Sequence, residues 1–365
     1  MGVRSLKGSI RKLKLFQLEP GMAIAKDIVI EERVLLTRDT VLKQEHIEKL
    51  MDLMHFDTIE VFAEKHNTVN ELKYKNLSEV RIKQAKKIKD DMLEMNSKIR
   101  SALKDITLDK SIQTTNIQGI CSNLMNEYKC EDADLIFKEL MEKSEEDEEL
   151  YKHSLDVAII SSMIGKWMGM EKKELKELVN SALLHDIGKL ILDKNLIKRK
   201  DTITEAEKQI LKLHAKLGYK AIVGKQGISN NIANGVLMHH ERNDGSGYPI
   251  GLKEESIHPY AKIIAIADVF DASTSNREYY KRKTVFEALE EIKKLSLKEL
   301  DNRICNLFLS KFMSLYTSEY AMLSTGKVCQ IIKFNEYEIS RPLVMVENEF
   351  IDLSKNREIS IRELE

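Results

Sequence analysis

Proline is scarce, with four in 365 residues where ordinary usage near 5% gives roughly eighteen. Aromatic residues are few as well, at 6%. A chain short of Pro and rich in Lys, Glu, Leu and Ile has many good helix formers and little to interrupt them, so it reads as mainly α. Cys121, Cys130, Cys305 and Cys329 are scattered with no CxxC pair, which points away from a thiolate zinc site and from a disulfide framework. No apolar run reaches the roughly 18 residues needed to span a bilayer; the best, Val157–Ile164, is stopped by Lys166. The opening MGVRSLKGSIRKLKLF has charges but lacks the apolar core of a secretory signal. The expectation is a soluble, reduced, cytoplasmic protein with no membrane insertion. An excess of positive charge is missing too. Lys plus Arg is 58 against 59 for Asp plus Glu, a net charge of −1. That argues against a nucleic-acid partner, because affinity for phosphate backbones is built from surplus Lys and Arg.

What is present is globular in composition, 42% hydrophobic and 32% charged, and too long for one ordinary domain. Residues 1–66 read as a small α/β module, a sensory or regulatory unit. Met22–Ile30 and Val34–Leu36 pair as a hairpin through Glu31-Glu32-Arg33, and Asp39 or Thr40 caps a helix running to His55. Ile47, Leu50 and Met54 share one face of that helix, and Thr58–Phe62 follows as a strand. Residues 67–119 form a polar helical connector. Within it Ala85, Ile88, Met92, Met95, Ile99, Ala102 and Ile106 recur at alternating three- and four-residue steps, an a/d seam. The seam fits a helix packed on its own chain and a homodimer through 85–106 equally. Residues 120–320 carry long helical patterns. Residues 321–365 turn β-rich, with Val328–Phe334, Leu343–Val346, Phe350–Leu353 and Ile359–Ile361 as strands.

Six of the nine histidines lie between residues 153 and 258. His185-Asp186 opens HisAspIleGlyLys, and His239-His240 opens HisHisGluArgAsnAspGlySerGlyTyrPro. Neighbouring ligands on a helix point about 100° apart, so a His-Asp pair can serve two neighbouring metals, or its carboxylate can bridge them. Glu149 and His153 are four apart and share a helix face. His153, His185, Asp186, His214, His239, His240 and Asp268 make seven ligand candidates, and Glu149 an eighth. A single zinc is saturated by four, so this number fits two or three divalent ions. Imidazole mixed with carboxylate and no Cys favours iron or manganese. Three carboxylates leave a two-ion site net positive and attractive to phosphate. A lone His on a helix is more often a packing residue; five His and two Asp in this order are hard to obtain from packing alone.

These residues resemble the HD-GYP subgroup of the HD phosphohydrolase superfamily. The matching pieces are TyrLysHisSer (151–154), LeuLeuHisAspIleGlyLys (183–189), His214, the 239–249 run, and AlaLysIleIleAlaIleAlaAspValPheAspAlaSerThrSerAsnArgGluTyrTyr (261–280). The resemblance covers roughly residues 120–318. LeuGluProGlyMet (18–22) and the β-rich tail also look like the modules that often flank this domain. It implies a helical metal-binding bundle that hydrolyses cyclic di-GMP to linear pGpG and/or GMP at a centre of two or three metals. By the same resemblance Asp186 is the bridging carboxylate and Lys189 contacts the substrate phosphate. Tyr248 lines the substrate pocket, and Arg277 faces the guanine or phosphate. Glu149 resembles the ligand of a third metal found in a subset. Tyr280 stands where the family often has Arg. The implied chemistry is in-line attack by a metal-bridging hydroxide, since two cations acidify a shared water, with Lys189 stabilising the transition state. In the loop, Gly245 and Gly247 permit unusual backbone angles and Pro249 stiffens the exit, holding Tyr248 for stacking. The competing readings are a hydrolase of (p)ppGpp, a deoxynucleotide triphosphate or a mixed cyclic dinucleotide, and a non-catalytic messenger-binding module.

Overall fold

The structure, a computed structural model, describes residues 10–15, 18, 20–30, 33–38, 40–43, 46–47, 50, 58–62, 69–107, 114–141, 149–197, 204–274, 283–347 and 349–364, with some of their side chains, that of Glu149 among them, outside the description. Two compact units, 1–84 and 85–365, divide within helix α1 (Val69–Thr107).

In the first unit, β1 (Ile10–Lys14) pairs antiparallel with β4 (Thr58–Phe62), and β2 (Ile28–Ile30) pairs with β3 (Arg33–Leu36) across a bulge. The hairpin and the 58–62 strand fall where the alternation predicts them. Strand β1 was not foreseen: IRKLK is rich in charge and has no β-branched residue beyond Ile10. Ile24, Ile28, Leu42, Ile47, Leu50, Ile59 and Val61 form its core. His46, Ile47 and Leu50 are helical, as the 40–55 pattern predicts, while Met54 and His55 lie outside the described residues.

The second unit is helical with a terminal sheet. Its helices are α2 (Thr114–Glu127), α3 (Ala133–Leu140), α4 (Glu149–Trp167), α5 (Lys172–Leu184), α6 (Lys194–Ile197), α7 (Glu205–Ile222), α8 (Asn230–Met238), α9 (Pro259–Thr274), α10 (Val285–Leu295) and α11 (Asn302–Tyr316). Side-chain caps start several of them. Thr204 and Glu207 close a capping box on α7, and Thr284 and Glu287 close one on α10. Ser229 caps α8, and Asp301 caps α11. Each cap stabilises its helix by about 1 kcal/mol. Helix α4 crosses the centre: Val157, Ala158, Ile159, Ile160, Met163 and Ile164 are all buried. The apolar run noted in the sequence is therefore a core helix, and among the described residues no helix is long and apolar enough to cross a membrane.

The a/d seam resolves in favour of packing on the same chain. Ile88, Met92, Met95, Ile99 and Ala102 are buried in one cluster with Ile117, Ile120, Leu124 and Tyr128. Lys87 and Lys89 reach Glu127 and Glu139 beside it. A face already covered in this way is not free to pair with a second chain. Ile106's side chain lies outside the description.

The C-terminal strands β5 (Tyr320–Leu323), β6 (Val328–Lys333), β7 (Leu343–Val346), β8 (Glu349–Asp352) and β9 (Ile361–Leu364) form one antiparallel sheet in the order β8-β7-β6-β5-β9. Alternate residues Ala321, Leu323, Cys329, Ile331, Val344 and Val346 join the main core.

Candidate metal centre

Five elements of the second unit bring the predicted ligands together. His153 sits on α4 and Asp268 on α9. His214 sits on α7. His185 and His239 terminate α5 and α8, with Asp186 and His240 just beyond. The two adjacent pairs thus diverge because the helix ends between them, not because of the 100° helical step inferred from sequence. Placing them at helix C-termini also directs the negative ends of two helix dipoles at the site, which favours cations.

Glycine makes one close approach here. The turn Ile187–Ile191 after Asp186 lies against α7 so tightly that a Cβ on Gly188 would stand 1.9 Å from the His214 carbonyl oxygen.

The side chains fall into two groups. His153, His185 and Asp268 form one; Asp186, His214, His239 and His240 form the other, and within each the ligand atoms lie within 4.8 Å of one another. Asp186, 1% exposed, stands between them. Its Oδ2 is 3.4 Å from Nε2 of His153 and 3.4 Å from Nε2 of His185. Its Oδ1 is 3.3 Å from Nε2 of His214 and 4.0 Å from that of His239.

The tautomers show why this cluster fits metal. Nδ1 of His185, His214 and His239 donates to the carbonyl three residues earlier, those of Ala182, Leu211 and Val236, at 2.6–2.7 Å. Nδ1 of His153 donates to Asp271 Oδ2 at 2.6 Å. The proton is therefore fixed on Nδ1, and the Nε2 lone pairs turn inward. His214 and His239 Nε2 meet at 3.3 Å, as do His153 and His185. For His214 and His239, both pushed toward the neutral ring, lone pairs at that separation repel unless a cation lies between them. Asp186 Oδ1 is buried and accepts no hydrogen bond, a cost that a cation would remove.

The protonation preferences agree with an arrangement built for positive charge. Burial pushes His239 and His240 well below the ordinary imidazole value, and the crowd of neighbouring imidazoles holds His239 down further. Burial also lowers His214. For Asp186, burial works to raise the carboxyl, but Lys189 and the surrounding histidines outweigh it and hold it well below the usual range. Asp268 follows the same logic, with His153 the main counterweight. His153 goes the other way: burial lowers it, yet hydrogen bonds to Asp186, Asp268 and Asp271 raise it well above its ordinary value.

Around the cluster, Lys189 Nζ donates to Asp186 Oδ2 at 2.5 Å. The Tyr248 ring stacks on His240, centroids 4.6 Å apart and 27° from parallel, with the Lys212 ammonium 5.4 Å from its centroid. Gly247 lies in the loop that carries Tyr248; a Cβ there would meet His240 O at 2.5 Å. Arg277, Tyr280, Lys281 and Arg282 lie outside the described residues. Glu149 opens α4.

Sequence reasoning passed over Asp271. It is buried and orients His153, and the signal available was its place three residues after Asp268, on the same face of α9.

A helical domain thus seats two histidine/carboxylate clusters, each able to hold a metal ion, across a shared Asp. Residues 137–304 match the HD domain family. The chain is 32% identical over 241 residues to a cyclic di-GMP phosphodiesterase of Thermotoga maritima, covering 64% of this chain and 62% of that protein. It is 30% identical over 171 residues to a 3'3'-cGAMP-specific phosphodiesterase of Vibrio cholerae, 47% of this chain and 37% of that one. The chain thus spans under two thirds of the length of these relatives. Among solved structures, an HDG"Y"P protein from Bdellovibrio bacteriovorus superposes with a TM-score of 0.51 at 16% identity, covering 83% of this chain and 99% of that one, a likeness of fold.

Proposed function

We propose that this protein is a cyclic di-GMP phosphodiesterase, cutting 3′–5′ phosphodiester bonds to linear pGpG and/or GMP. One observation carries the reading: the two oxygens of Asp186 face the two histidine groups separately, as a carboxylate shared by two cations must. Bound divalent ions, iron or manganese by the imidazole/carboxylate donor set, supply Lewis acidity and an acidified water. His153, His185, Asp186, His214, His239, His240 and Asp268 would hold them, and Glu149 would serve a third.

The chain's other residues act on the substrate. Lys189 presents an ammonium at the rim of Asp186, where a nonbridging phosphate oxygen gathers charge. Asp271 keeps the His153 ring oriented with Nε2 inward. Tyr248, held against His240, forms a flat wall for a guanine base, and Arg277 adds a cation on the base or phosphate side. With it we propose a domain plan of a sensory module at 1–66, a connector at 67–119 whose 85–107 part packs in the second unit, a catalytic domain at 120–320 and an appendage at 321–365, in a cytoplasmic protein. Any homodimer uses a surface other than the buried part of the 85–106 seam.

The test is hydrolysis of cyclic di-GMP by protein loaded anaerobically with Fe(II) or Mn(II), with products resolved by chromatography. His185→Ala and Asp186→Ala serve as controls. Linear pGpG or GMP that vanishes in both variants supports the reading; full metal occupancy without product refutes it. The likeness to the Vibrio cholerae enzyme favours a second reading, a mixed cyclic dinucleotide as substrate, and 3'3'-cGAMP run in parallel separates the two.

A further inference from the structure

Glu241 follows the two histidines directly, and no role described so far uses it. It is 3% exposed, and among the described residues its carboxylate has no ion pair with Lys or Arg. Instead it accepts hydrogen bonds from three consecutive backbone N–H groups. Ile250 donates to Oε1 at 2.7 Å, Gly251 to Oε2 at 3.0 Å, and Leu252 to Oε2 at 2.8 Å. Three amides converging on one point form an anion nest, and here the anion is the chain's own side chain. Gly251 is in the left-handed region, with φ at +81°, as such a concave run of amides requires.

The nest closes the loop that carries Tyr248. The Tyr248 N–H donates to the His240 carbonyl at 3.1 Å. A Cβ on Gly247 would stand 2.4 Å from the Arg242 nitrogen and 2.5 Å from the Glu241 Cα, so the loop returns directly onto the histidine turn. Beyond the nest, the backbones of Asp244 and Lys253 form an isolated antiparallel β-bridge, and the Glu254 N–H donates to the Asn243 carbonyl. The Tyr248 ring is held on His240 from both sides of its own sequence, by the His240 carbonyl before it and by Glu241 after it.

We propose that Glu241 is a positioning residue: its buried carboxylate braces residues 250–252 and thereby fixes Tyr248 as the wall of the substrate pocket. This rests on the cyclic-dinucleotide reading for its kinetic consequence, not for the brace itself. In Glu241→Gln one acceptor oxygen becomes an NH2 group set against amide donors, and the charge is lost. Charge-assisted bonds of this kind are worth enough that about a tenfold effect follows from losing one.

The experiment uses the full chain loaded with Mn(II), comparing wild type, Glu241→Gln, Tyr248→Ala and the double variant. Expected for Glu241→Gln are at least tenfold faster amide hydrogen exchange across 248–252 and unchanged metal equivalents. With cyclic di-GMP, KM rises about tenfold and kcat changes less, and adding Glu241→Gln to Tyr248→Ala raises KM no further. Unchanged exchange overturns the brace. A KM effect that adds fully to that of Tyr248→Ala, or a loss confined to metal content and kcat, overturns its action through Tyr248. If the wild type turns over no cyclic dinucleotide, the functional reading fails, and the exchange result still decides whether Glu241 holds the loop.

Discussion

Lys189 Nζ sits 2.5 Å from Asp186 Oδ2, the same oxygen that faces Nε2 of His153 and His185. The ammonium thus stands beside the place a cation takes between these groups. Two like charges sharing one carboxylate oxygen repel, so a cation bound there would displace the Lys189 head from Asp186, leaving its ammonium free for the proposed substrate's phosphate. Lys189→Met is expected to lower kcat about 10²- to 10³-fold, the usual effect of removing one donor that meets developing charge, with metal equivalents retained. Steady-state kinetics with elemental analysis of the same samples checks this; a loss of metal matching the loss of rate would make Lys189 a structural residue only.

Asp271 fixes the His153 tautomer through a 2.6 Å hydrogen bond. Carboxylates behind metal-binding imidazoles typically contribute 10- to 100-fold in metal affinity. Asp271→Ala is expected to weaken binding of the ion that His153 would hold by that factor, with a loss of about 1–3 kcal/mol in metal-free stability from the unpaired buried imidazole. Competition titration against a chelating dye measures it, and an unchanged affinity would sink the role.

How much of this was legible beforehand depends on what each residue's signal encodes. The five histidines and two aspartates stood out because imidazoles in ordered pairs have no common packing role. Asp271 did not, since one Asp among many carries no mark beyond its three-residue spacing from Asp268. Glu241 was hidden for another reason: its partners are backbone amides, which leave no trace in a sequence. The 85–106 seam displayed its apolar face plainly, but an apolar face does not say what covers it. The C-terminal strands at 328–333 and 343–346 were readable from their β-branched runs, whereas Tyr320–Leu323, with no β-branched residue, was not.

Metal affinity is expected to fall with pH. Without metal, three carboxylates surround the two ring nitrogens of His153 at 2.6–3.4 Å and hold its proton to a pH above the ordinary imidazole value. A cation must displace that proton, so binding near neutral pH releases it, and affinity drops as pH falls. The same raised value stabilises the metal-free fold at low pH, a contribution lost as pH rises through it. Calorimetry in buffers of different ionisation enthalpy reads the proton directly; binding enthalpies that do not depend on buffer would contradict this.

Gly188→Ala tests how the site is assembled. The added methyl would overlap the His214 carbonyl, forcing the 187–191 turn off α7. Overpacking of this kind costs about 1–3 kcal/mol, and here it also separates Asp186 from His214. Denaturant unfolding and metal titration should show both losses together, whereas a stable variant with normal metal binding would show that the turn and α7 need not touch so closely.

The central claim is that Asp186 joins two cation sites into one hydrolytic centre. It is tested most directly by following cyclic di-GMP turnover while Mn(II) is added in measured equivalents to metal-free protein. The account predicts little product through the first equivalent, a steep rise through the second, and none at any loading in Asp186→Ala. Full activity at one equivalent, or no product with both sites filled, would contradict it.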